Sequence, residues 1–456
     1  MIRGAALCLA LVVSATACSS GSNASRSPSP SIASPAASPA ISSDWTQYHH
    51  DGGRAGVGAS EPALDRPRVA WQGDVDGELY ASPLIVAGHV IVATENNTVY
   101  SLDLFTGAAV WTRHLGDPVD ASSLPCGNIQ PVSGITGTPA ADPATGRLYV
   151  VAYLRGNHHV LYALSLVDGS IKWQQDIDPP GSTPAAQQLR GALAIGSGFV
   201  YVPFGGLFGD CGPYRGYVVG VPLGGGRAHV YTVPAARGGS IWSPQGPTVG
   251  PDGSVYVVTG NSFGPGFGYS DSVLQLAPDL QTVRSYFAPS NWEELNAGDT
   301  DLGSVGATVL PSIGRVVAIG KEGNAYLLRS GSLGGIGGQV AALRVCDGAW
   351  GGTAWSGSTV FVPCGGGLFA LAVTDSSISV AWRSSHPVLG SPILAAGAVW
   401  AIEPDTATLY ALDPRDGKVL YAAKLGSATH FSTPAAIEGF VVAPAGRKVV
   451  AVSVTG

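Results

Sequence analysis

Charged side chains are scarce in this sequence: lysine, arginine, aspartate and glutamate make up 12% of its 456 residues, and the net charge is −7. No cluster of lysine and arginine stands out, although a nucleic-acid-binding surface needs one, so we expect no nucleic-acid partner. Segments with the periodicity of an amphipathic helix are also lacking. The 64 glycines and the apolar content of 45% instead indicate an all-β protein with a large core and many tight turns.

The hydrophobic run closest to the N-terminus, Gly4–Val13, is too short to span a bilayer. Arg3 precedes it and the small residues Ala15–Ala17 follow it, so we predict an export signal over residues 1–17. The ending resembles a bacterial lipobox, in which Cys18 is lipidated and becomes the mature N-terminus; ordinary cleavage and secretion is the alternative. Residues 18–43 are nearly all Ser, Pro, Ala and Gly, which predicts a flexible tether to the outer face of the cytoplasmic membrane.

A unit of four short strands recurs along the rest of the chain, and Tyr80–Leu115 is one complete copy. Its apolar runs are separated by turns at Gly88, Asn96-Asn97 and Thr106-Gly107, and its last strand contains Trp111. A single sheet of this size cannot bury both of its faces, so copies of the unit must pack on either side of it.

The copies are marked by recurring first strands and by an aliphatic-Tyr-x-Leu segment that leads to an aromatic residue. The second pattern is found at Tyr100–Trp111, Tyr162–Trp173 and Tyr410–Tyr421. Eight first strands begin near Ser82, Thr138, Gly191, Gly246, Ala307, Thr353, Ser391 and Thr433. Their spacing of roughly 38 to 61 residues brackets the length of a four-stranded propeller blade, so we predict an eight-bladed β-propeller of antiparallel blades.

The last unit, Phe431–Val454, has sequence for only three strands. Arg68–Trp71 matches the pattern of a fourth strand, and no first three strands come before it. We therefore predict that this N-terminal strand closes the ring on the outside of the last blade, within a propeller domain of residues 44–456. Closure removes the exposed sheet edges that promote aggregation, and we expect a monomer.

Four cysteines follow the tether, and export places them in an oxidising compartment. Cys346 precedes the first strand of the sixth unit and Cys364 ends its second strand; because antiparallel strands bring these two ends to one edge of the sheet, we predict a disulfide. Cys126 and Cys211 lie in loops of the neighbouring second and third units, and we predict that they pair as well. A zinc site is the alternative, although no Cys-x-x-Cys pattern supports it.

The third to fifth units carry insertions rich in polar residues, and loops on a rigid scaffold often carry function. The inserted segments are Gly205–Tyr217, Ser240–Pro247, Thr259–Asp271, Asn291–Ser304 and Gly320–Asn324. At these segments and in the repeats that end in tryptophan, the sequence resembles the propeller of alcohol dehydrogenases that depend on pyrroloquinoline quinone (PQQ), including polyvinyl alcohol dehydrogenases. The resemblance covers residues 45–454 and implies an oxidoreductase that acts on an alcohol or a sugar.

The resemblance also implies a site for PQQ and Ca²⁺. Trp242 is similar to the tryptophan that lies beneath the quinone in that family, and Asn261, in a Thr-Gly-Asn context, is similar to its metal-binding asparagine. Asp210 is placed like the metal carboxylate of the family, which is usually a glutamate. Ca²⁺ prefers such oxygen ligands and polarises a quinone carbonyl as a Lewis acid.

The catalytic roles implied by the resemblance fall on two further segments. Asp299 and Asp301, in DTDLGS, look like the segment of the catalytic aspartate, and Lys321, in GKEG, looks like the cation that contacts the quinone oxygens. An aspartate at this place takes the alcohol proton as hydride leaves, and the lysine stabilises the developing negative charge.

A function of a different class stays open. The adjacent Cys-Cys pair of the family and a haem-attachment motif are missing, since Cys126 stands alone in PCGN. A non-catalytic propeller lipoprotein, similar to the outer-membrane assembly propeller, would use the same repeats to bind protein partners or envelope polymers. In that case Trp242 packs within a blade and Lys321 lies in an ordinary hairpin turn. His49-His50 are expected to pack on the propeller surface.

Overall fold

The computed structural model describes residues 44–58, 62–387 and 390–456, so the predicted export signal, the tether and Cys18 lie outside the described residues. Eight four-stranded antiparallel sheets form the blades of a propeller ring, which confirms the predicted architecture. Within the described ranges, no helix is long and apolar enough to cross a membrane.

The first four blades follow one another in sequence, each running from the channel outwards. Blade 1 contains Leu84–Val86, His89–Ala93, Thr98–Asp103 and Ala109–His114. Blade 2 contains Ala140–Asp142, Arg147–Leu154, His158–Ser165 and Ile171–Asp176. Blade 3 contains Ala194–Gly196, Phe199–Gly206, Tyr217–Pro222 and His229–Thr232. Blade 4 contains Thr248–Val249, Val255–Val258, Val273–Leu276 and Val283–Ala288.

The last four blades complete the ring. Blade 5 contains Thr308–Leu310, Arg315–Ala318, Asn324–Arg329 and Ala341–Arg344. Blade 6 contains Ala354–Ser356, Thr359–Cys364, Gly367–Val373 and Ile378–Arg383. Blade 7 contains Ile393–Ala395, Ala398–Glu403, Thr408–Leu412 and Val419–Lys424. Blade 8 contains Ala435–Ile437, Phe440–Pro444, Lys448–Ser453 and, from the other end of the chain, Arg68–Asp74.

Shorter elements lie in the connections. The α-helix α1 spans Trp292–Gly298. The 3₁₀ turns are Ala121–Ser123, Pro184–Ala186, Leu302–Ser304 and Pro311–Ile313. The additional two-residue strands are Val119–Asp120, Val132–Ser133, Gln187–Gln188, Arg237–Gly238, Ser262–Phe263 and Gly335–Ile336.

The ring closes as the sequence predicts. Arg68–Asp74 pairs antiparallel with Lys448–Ser453, and the register runs from Arg68 opposite Ser453 to Asp74 opposite Lys448. We call the junction between blade 8 and blade 1 the seam. The indole of Trp71 reaches across it and donates to the carbonyl of Leu104 in blade 1 at 2.7 Å. Blade 8 is therefore built from both ends of the described chain.

A tryptophan of the outer strand joins neighbouring blades in the same way elsewhere. Trp111 donates to the carbonyl of Leu166 at 3.1 Å, and Trp382 donates to that of Pro414 at 2.8 Å. At Gly107, where φ is +72°, an added Cβ would lie 2.5 Å from the Trp71 ring, so the turn that receives a tryptophan requires glycine. This contact explains why glycine and tryptophan recur together in the repeats.

Residues 44–58 fill the central channel, so the expectation that His49-His50 pack on the propeller surface is wrong. The backbone of this segment bonds to the first strands of blades 1, 2, 4, 6 and 7, through contacts such as Trp45 with Ile85 and Gly52 with Val249. Both histidines are buried, and His49 Nδ1 lies 2.9 Å from the carbonyl of Thr353. A segment inside the channel finds open backbone edges on every side, whereas the outer surface offers few.

Both predicted disulfides are present. Cys346 pairs with Cys364 at the edge of blade 6, and Cys126 pairs with Cys211 between the connections of blades 2 and 3. The Cα atoms are 6.1 and 6.0 Å apart, respectively, within the usual range for a disulfide. The predicted zinc alternative is thereby set aside for these four cysteines.

Candidate functional site

A cavity of about 970 Å³ opens where the connections before the first strands meet the connections between second and third strands. These connections belong mainly to blades 3 to 8, so residues far apart in sequence face one space. All six predicted cofactor and catalytic residues line this cavity: Asp210, Trp242, Asn261, Asp299, Asp301 and Lys321. The insertions of blades 3 to 5 thus converge on one cavity.

Lys321 is held by two aspartates from the connection into blade 5. Its Nζ lies 2.7 Å from Asp301 Oδ2 and 3.0 Å from Asp299 Oδ1. Asp299 ends helix α1 in a left-handed conformation, with φ 50° and ψ 41°, which turns the chain so that Asp301 follows at the cavity wall. The Asp299 side chain is 64% exposed and that of Asp301 only 5%, so the two carboxylates are in different environments.

Burial sets the protonation of this cluster. Burial raises the pKa of Asp301 above its ordinary value, although the ammonium group of Lys321 opposes the shift. Burial works against the charge of Lys321, but the ion pair with Asp301 outweighs it, so the pKa of Lys321 is raised. Asp271 lies behind Asp301, fully buried, and burial together with the Asp301 charge raises its pKa well above the usual range.

Trp242 presents its ring to the cavity next to Lys321. The Nζ of Lys321 is 5.5 Å from the ring centroid, and the ring of Phe431 lies 6.3 Å away at a tilt of 58°. The side chain is partly exposed, in contrast to the fully buried tryptophans Trp45 and Trp400 in the core. Trp242 therefore offers a free aromatic face and is not packed wholly within a blade.

Asn261 and Asp210 supply oxygen atoms at the same cavity. The backbone N–H of Asn261 donates to Asp301 Oδ1 at 2.6 Å, which fixes the two residues relative to each other. Asp210 accepts a hydrogen bond from the buried Tyr214 hydroxyl on Oδ1, and Arg237 donates to its backbone carbonyl at 2.8 Å. Burial and the bond to Asp210 raise the pKa of Tyr214, so the phenol stays neutral and donates.

The residue types fit a planar anionic cofactor with a cation. The carboxylates Asp210, Asp299 and Asp301 share the cavity with the ammonium group of Lys321 and with two arginines, Arg190 and Arg237. A hard cation such as Ca²⁺ takes carboxylate and amide oxygens. Over the described residues, the one group of three His, Cys, Asp or Glu ligands within 4.8 Å of one another lies elsewhere, on blade 2. A cation here therefore needs the Asn261 amide and an oxygen from a bound molecule.

The sequence analysis missed several residues of this site. Arg190 and Phe431 line the cavity, and Asp271 supports Asp301 from behind. The sequence did contain a signal for Arg190 and Phe431. Each stands one or two residues before the predicted start of a first strand, and Trp242 likewise lies shortly before the first strand of blade 4. No pattern in the sequence marks Asp271, which precedes an ordinary buried strand.

Comparison with known families identifies the chain. Residues 63–264 and 312–456 match the PQQ-repeat family described as "Outer membrane protein assembly factor BamB". The chain belongs to this family. The match covers blades 1 to 3 and 6 to 8 in full and parts of blades 4 and 5, so the PQQ-repeat propeller accounts for both ends of the closed ring.

Solved structures share the fold of this PQQ-repeat propeller. Quinohemoprotein alcohol dehydrogenase ADHIIG from Pseudomonas putida HK5 is 14% identical with a TM-score of 0.73, over 91% of this chain and 80% of that chain. The quinohemoprotein alcohol dehydrogenase from Comamonas testosteroni is 17% identical with a TM-score of 0.70, over 91% and 81%. BamB from Moraxella catarrhalis is 12% identical with a TM-score of 0.56, over 85% and 97%.

A further similar structure is a europium-containing methanol dehydrogenase, which is 15% identical with a TM-score of 0.68, over 88% of this chain and 89% of that chain. At these identities the likeness establishes the fold and nothing finer. A search of curated proteins finds no match to the PQQ-repeat propeller at a significant level.

Proposed function

We propose that the cavity binds PQQ with a cation and that the protein oxidises an alcohol or a sugar. One observation carries the proposal: six residues from five separate segments, each of the type that the resemblance to quinoprotein dehydrogenases requires, face one cavity. Convergence of ionisable groups in a cleft is costly unless it serves a ligand or a reaction. The dehydrogenases with the same fold supply the class of cofactor and substrate.

The side chains would divide the work as follows. PQQ, when bound, supplies the two-electron redox chemistry. Trp242 offers the stacking face, and the charge of Lys321 favours an anionic or electron-rich group above that face. Asn261 and Asp210 offer oxygen ligands to Ca²⁺. The protein thus contributes position and electrostatic field.

Asp301 is the better placed of the two aspartates to act as the base. Its burial raises its pKa towards the range in which a carboxylate accepts a proton at neutral pH, while Lys321 keeps it ionised until it does so. Asp299 is largely exposed and accepts hydrogen bonds from Lys321 Nζ on its side chain and on its backbone carbonyl, at 3.0 and 3.1 Å. We assign Asp299 to holding Lys321 and Asp301 to proton abstraction.

A titration of purified protein with PQQ tests the proposal. With Ca²⁺ present we expect saturable quenching of tryptophan fluorescence, and Trp242→Ala should weaken binding by about two- to tenfold because it removes one aromatic stacking contact. Asp301→Asn should change the affinity little and abolish reduction of a redox dye by alcohols, since a base acts in the transition state. Parallel titrations with Eu³⁺ are included because one structural neighbour contains europium.

Trp292→Ala is the matched control for this titration. Trp292 is also partly exposed, but it contacts Phe267 at 5.2 Å and does not line the cavity, so its loss should leave PQQ affinity unchanged. If PQQ does not bind at tens of micromolar with either metal ion, the dehydrogenase proposal fails.

A non-catalytic propeller is the second candidate function. It is favoured by the description of the family, which names an assembly factor of the outer membrane. Such a protein would bind envelope proteins or polymers through the propeller and would have no need for PQQ. Failure of the titration above, with the fold intact by circular dichroism, would favour this candidate.

We further propose that the protein is exported and anchored to the outer face of the membrane through Cys18. The small residues Ala15–Ala17 before this cysteine and the Ser/Pro-rich segment after it support the proposal. In a bacterial host, Cys18→Ser should move the protein from the membrane fraction to the soluble fraction and abolish incorporation of labelled palmitate. An equal membrane fraction for both forms would contradict lipidation.

A further inference from the structure

Arg190 is a second cation of the cavity, and its charge is not neutralised by an ion pair. It stands just before the first strand of blade 3, and its Nη2 donates to Asn128 Oδ1 at 3.0 Å. Within the described residues, no carboxylate lies within 4 Å of its guanidinium nitrogens. Lys321, by contrast, contacts two carboxylates. A guanidinium group has five N–H donors, so most of the donors of Arg190 remain available to a ligand.

Phe431 holds one face of the Arg190 guanidinium. The carbon Cζ of Arg190 lies 5.7 Å from the centroid of the Phe431 ring, and the same ring lies 6.3 Å from that of Trp242. The N–H groups of a guanidinium point outwards within its plane. Contact of its face with an aromatic ring therefore leaves these donors available to a ligand that approaches the edge.

The backbone of Phe431 has a φ of 67°, a left-handed conformation that a side chain other than glycine rarely adopts. Its carbonyl accepts a hydrogen bond from Thr433 Oγ1 at 2.9 Å, which fixes this turn before the first strand of blade 8. Glycine would adopt the same φ without strain, so the presence of phenylalanine points to a use for the ring.

The acidic group nearest to Arg190 offers little compensation. Glu95 is buried, and burial raises its pKa to about 7, so at neutral pH it is only partly charged. Its Oε2 already accepts the backbone N–H of Gly134 at 2.6 Å. Burial lowers the pKa of Arg190, but an arginine stays protonated in a protein. Arg237 also lines the cavity, but it lies over the Phe263 ring, with its Cζ 3.9 Å from the ring centroid, and donates to the carbonyl of Asp210. Arg190 therefore brings to the cavity a charge that no carboxylate of the described residues neutralises.

We infer that Arg190, Asn128 and Phe431 form a subsite for a carboxylate group, which selects substrates that carry both a hydroxyl and a carboxylate, such as uronic acids. The inference rests on the proposed function, since it assigns the substrate class of the same cavity. The planar fork of arginine matches a carboxylate through two parallel hydrogen bonds, and the Asn128 amide adds a donor beside it.

Binding of sodium D-glucuronate and D-glucose, measured by calorimetry on the protein without PQQ or metal, tests the inference. The two probes differ only in the carboxylate. We expect the wild-type protein to bind glucuronate at least about tenfold more tightly than glucose, because a charge-assisted pair replaces an exposed hydroxyl. Arg190→Gln should remove this preference, and Arg190→Lys should retain only part of it, because lysine keeps the charge and loses the fork.

Arg383→Gln is the matched control. Arg383 also stacks on a phenylalanine, with its Cζ 5.4 Å from the Phe369 ring, but it does not line this cavity, so the preference for glucuronate should persist. Phe431→Leu provides a second variant that keeps the arginine. It should weaken glucuronate binding without abolishing the preference, even if Arg190→Gln proves unstable.

The outcomes separate this inference from the proposed function. Equal affinity for glucuronate and glucose in the wild type would overturn the carboxylate subsite. So would a loss of PQQ affinity of tenfold or more in Arg190→Gln without a change in glucuronate binding, because Arg190 would then hold a carboxylate of the quinone. A preference for glucuronate in a protein that does not bind PQQ would support the subsite and reject the dehydrogenase.

Discussion

Asp301 and Asp271 show how their partners distinguish two buried residues of the same chemical type. Asp301 keeps its carboxylate next to Lys321, while Asp271 receives only the backbone N–H of Leu302, at 2.9 Å on Oδ1. Among the described residues, Asp271 Oδ2 has no hydrogen-bond partner. A buried carboxyl group with one partner is most stable when protonated, so Asp271 is neutral at neutral pH and does not repel the charge of Asp301.

Two buried glutamates at turns between second and third strands differ in the same way. Glu95, in blade 1, has its pKa raised by burial to about 7. Glu403, in blade 7, is equally buried but accepts the backbone N–H groups of Asp405 and Thr406 at 3.2 and 2.6 Å. Burial without such a pair of backbone donors favours the protonated form of Glu95.

Glu95→Gln should therefore change the pH dependence of stability. The folded-state pKa of Glu95 lies above its ordinary value of 4.5, so the native state binds the proton more tightly and loses stability as pH rises from 4.5 to about 7. Glutamine has no such proton. Relative to wild type, the unfolding free energy of the variant should rise by about 3 kcal/mol between pH 4.5 and pH 8, as measured by urea unfolding.

Glu403→Gln is the control for this measurement. It removes a second buried glutamate from the same kind of turn, so a rise found only in Glu95→Gln belongs to the Glu95 carboxyl group. A difference between Glu95→Gln and wild type that stays constant with pH would show that Glu95 is charged in the folded protein.

At the scale of elements, the strand Arg68–Asp74 decides whether the ring is closed. Seven blades are made of strands consecutive in sequence, but blade 8 takes its outer strand from the other end of the chain. Only one covalent connection joins blade 8 to blade 1, namely the segment that leads from this strand into blade 1. The Trp71 indole, 9% exposed and bonded to the carbonyl of Leu104, is a buried side-chain contact across the seam.

Trp71→Ala should open this seam. Removing a buried tryptophan costs about 3 to 5 kcal/mol, and the effect should concentrate in blade 8 and its neighbour. We expect lower stability in urea together with faster hydrogen exchange in the strand Lys448–Ser453, which pairs with Arg68–Asp74. Hydrogen exchange followed by mass spectrometry resolves the two strands.

Trp111→Ala makes the corresponding change inside the ring, where Trp111 bonds to Leu166 across two blades that are consecutive in sequence. It should destabilise the protein without raising exchange in Lys448–Ser453. Equal exchange in that strand for both variants would mean that Trp71 is not the residue that holds the seam.

At the scale of the whole molecule, residues 44–58 join the blades from within. Arg54 is 1% exposed and donates to the carbonyls of Tyr48, Leu193 and Pro247 at 2.8, 2.8 and 3.2 Å. The carbonyls of Leu193 and Pro247 directly precede the first strands of blades 3 and 4, respectively. A buried arginine with its donors satisfied replaces the water that would otherwise fill the channel of an eight-bladed ring.

The sequence alone determined the repeat, the number of blades, the closing strand, both disulfides and the six residues at the cavity. The repeat, the number of blades and the closing strand depend on patterns within a few consecutive residues: alternation of apolar residues, glycine at turns and tryptophan in the outer strand. Such patterns are local, so they can be found before the fold is known. The disulfides followed from the predicted order of strands and blades, and the six cavity residues from the resemblance to quinoprotein dehydrogenases.

Only the tertiary structure decided where the histidines His49-His50 lie, that Arg190 and Phe431 join the cavity, and that Asp301 is buried while Asp299 is exposed. These properties depend on which side chains face the axis once eight sheets have closed into a ring. The residues that meet there are separated by up to several blades, and their burial, which sets their pKa values, arises from neighbours that no local pattern identifies.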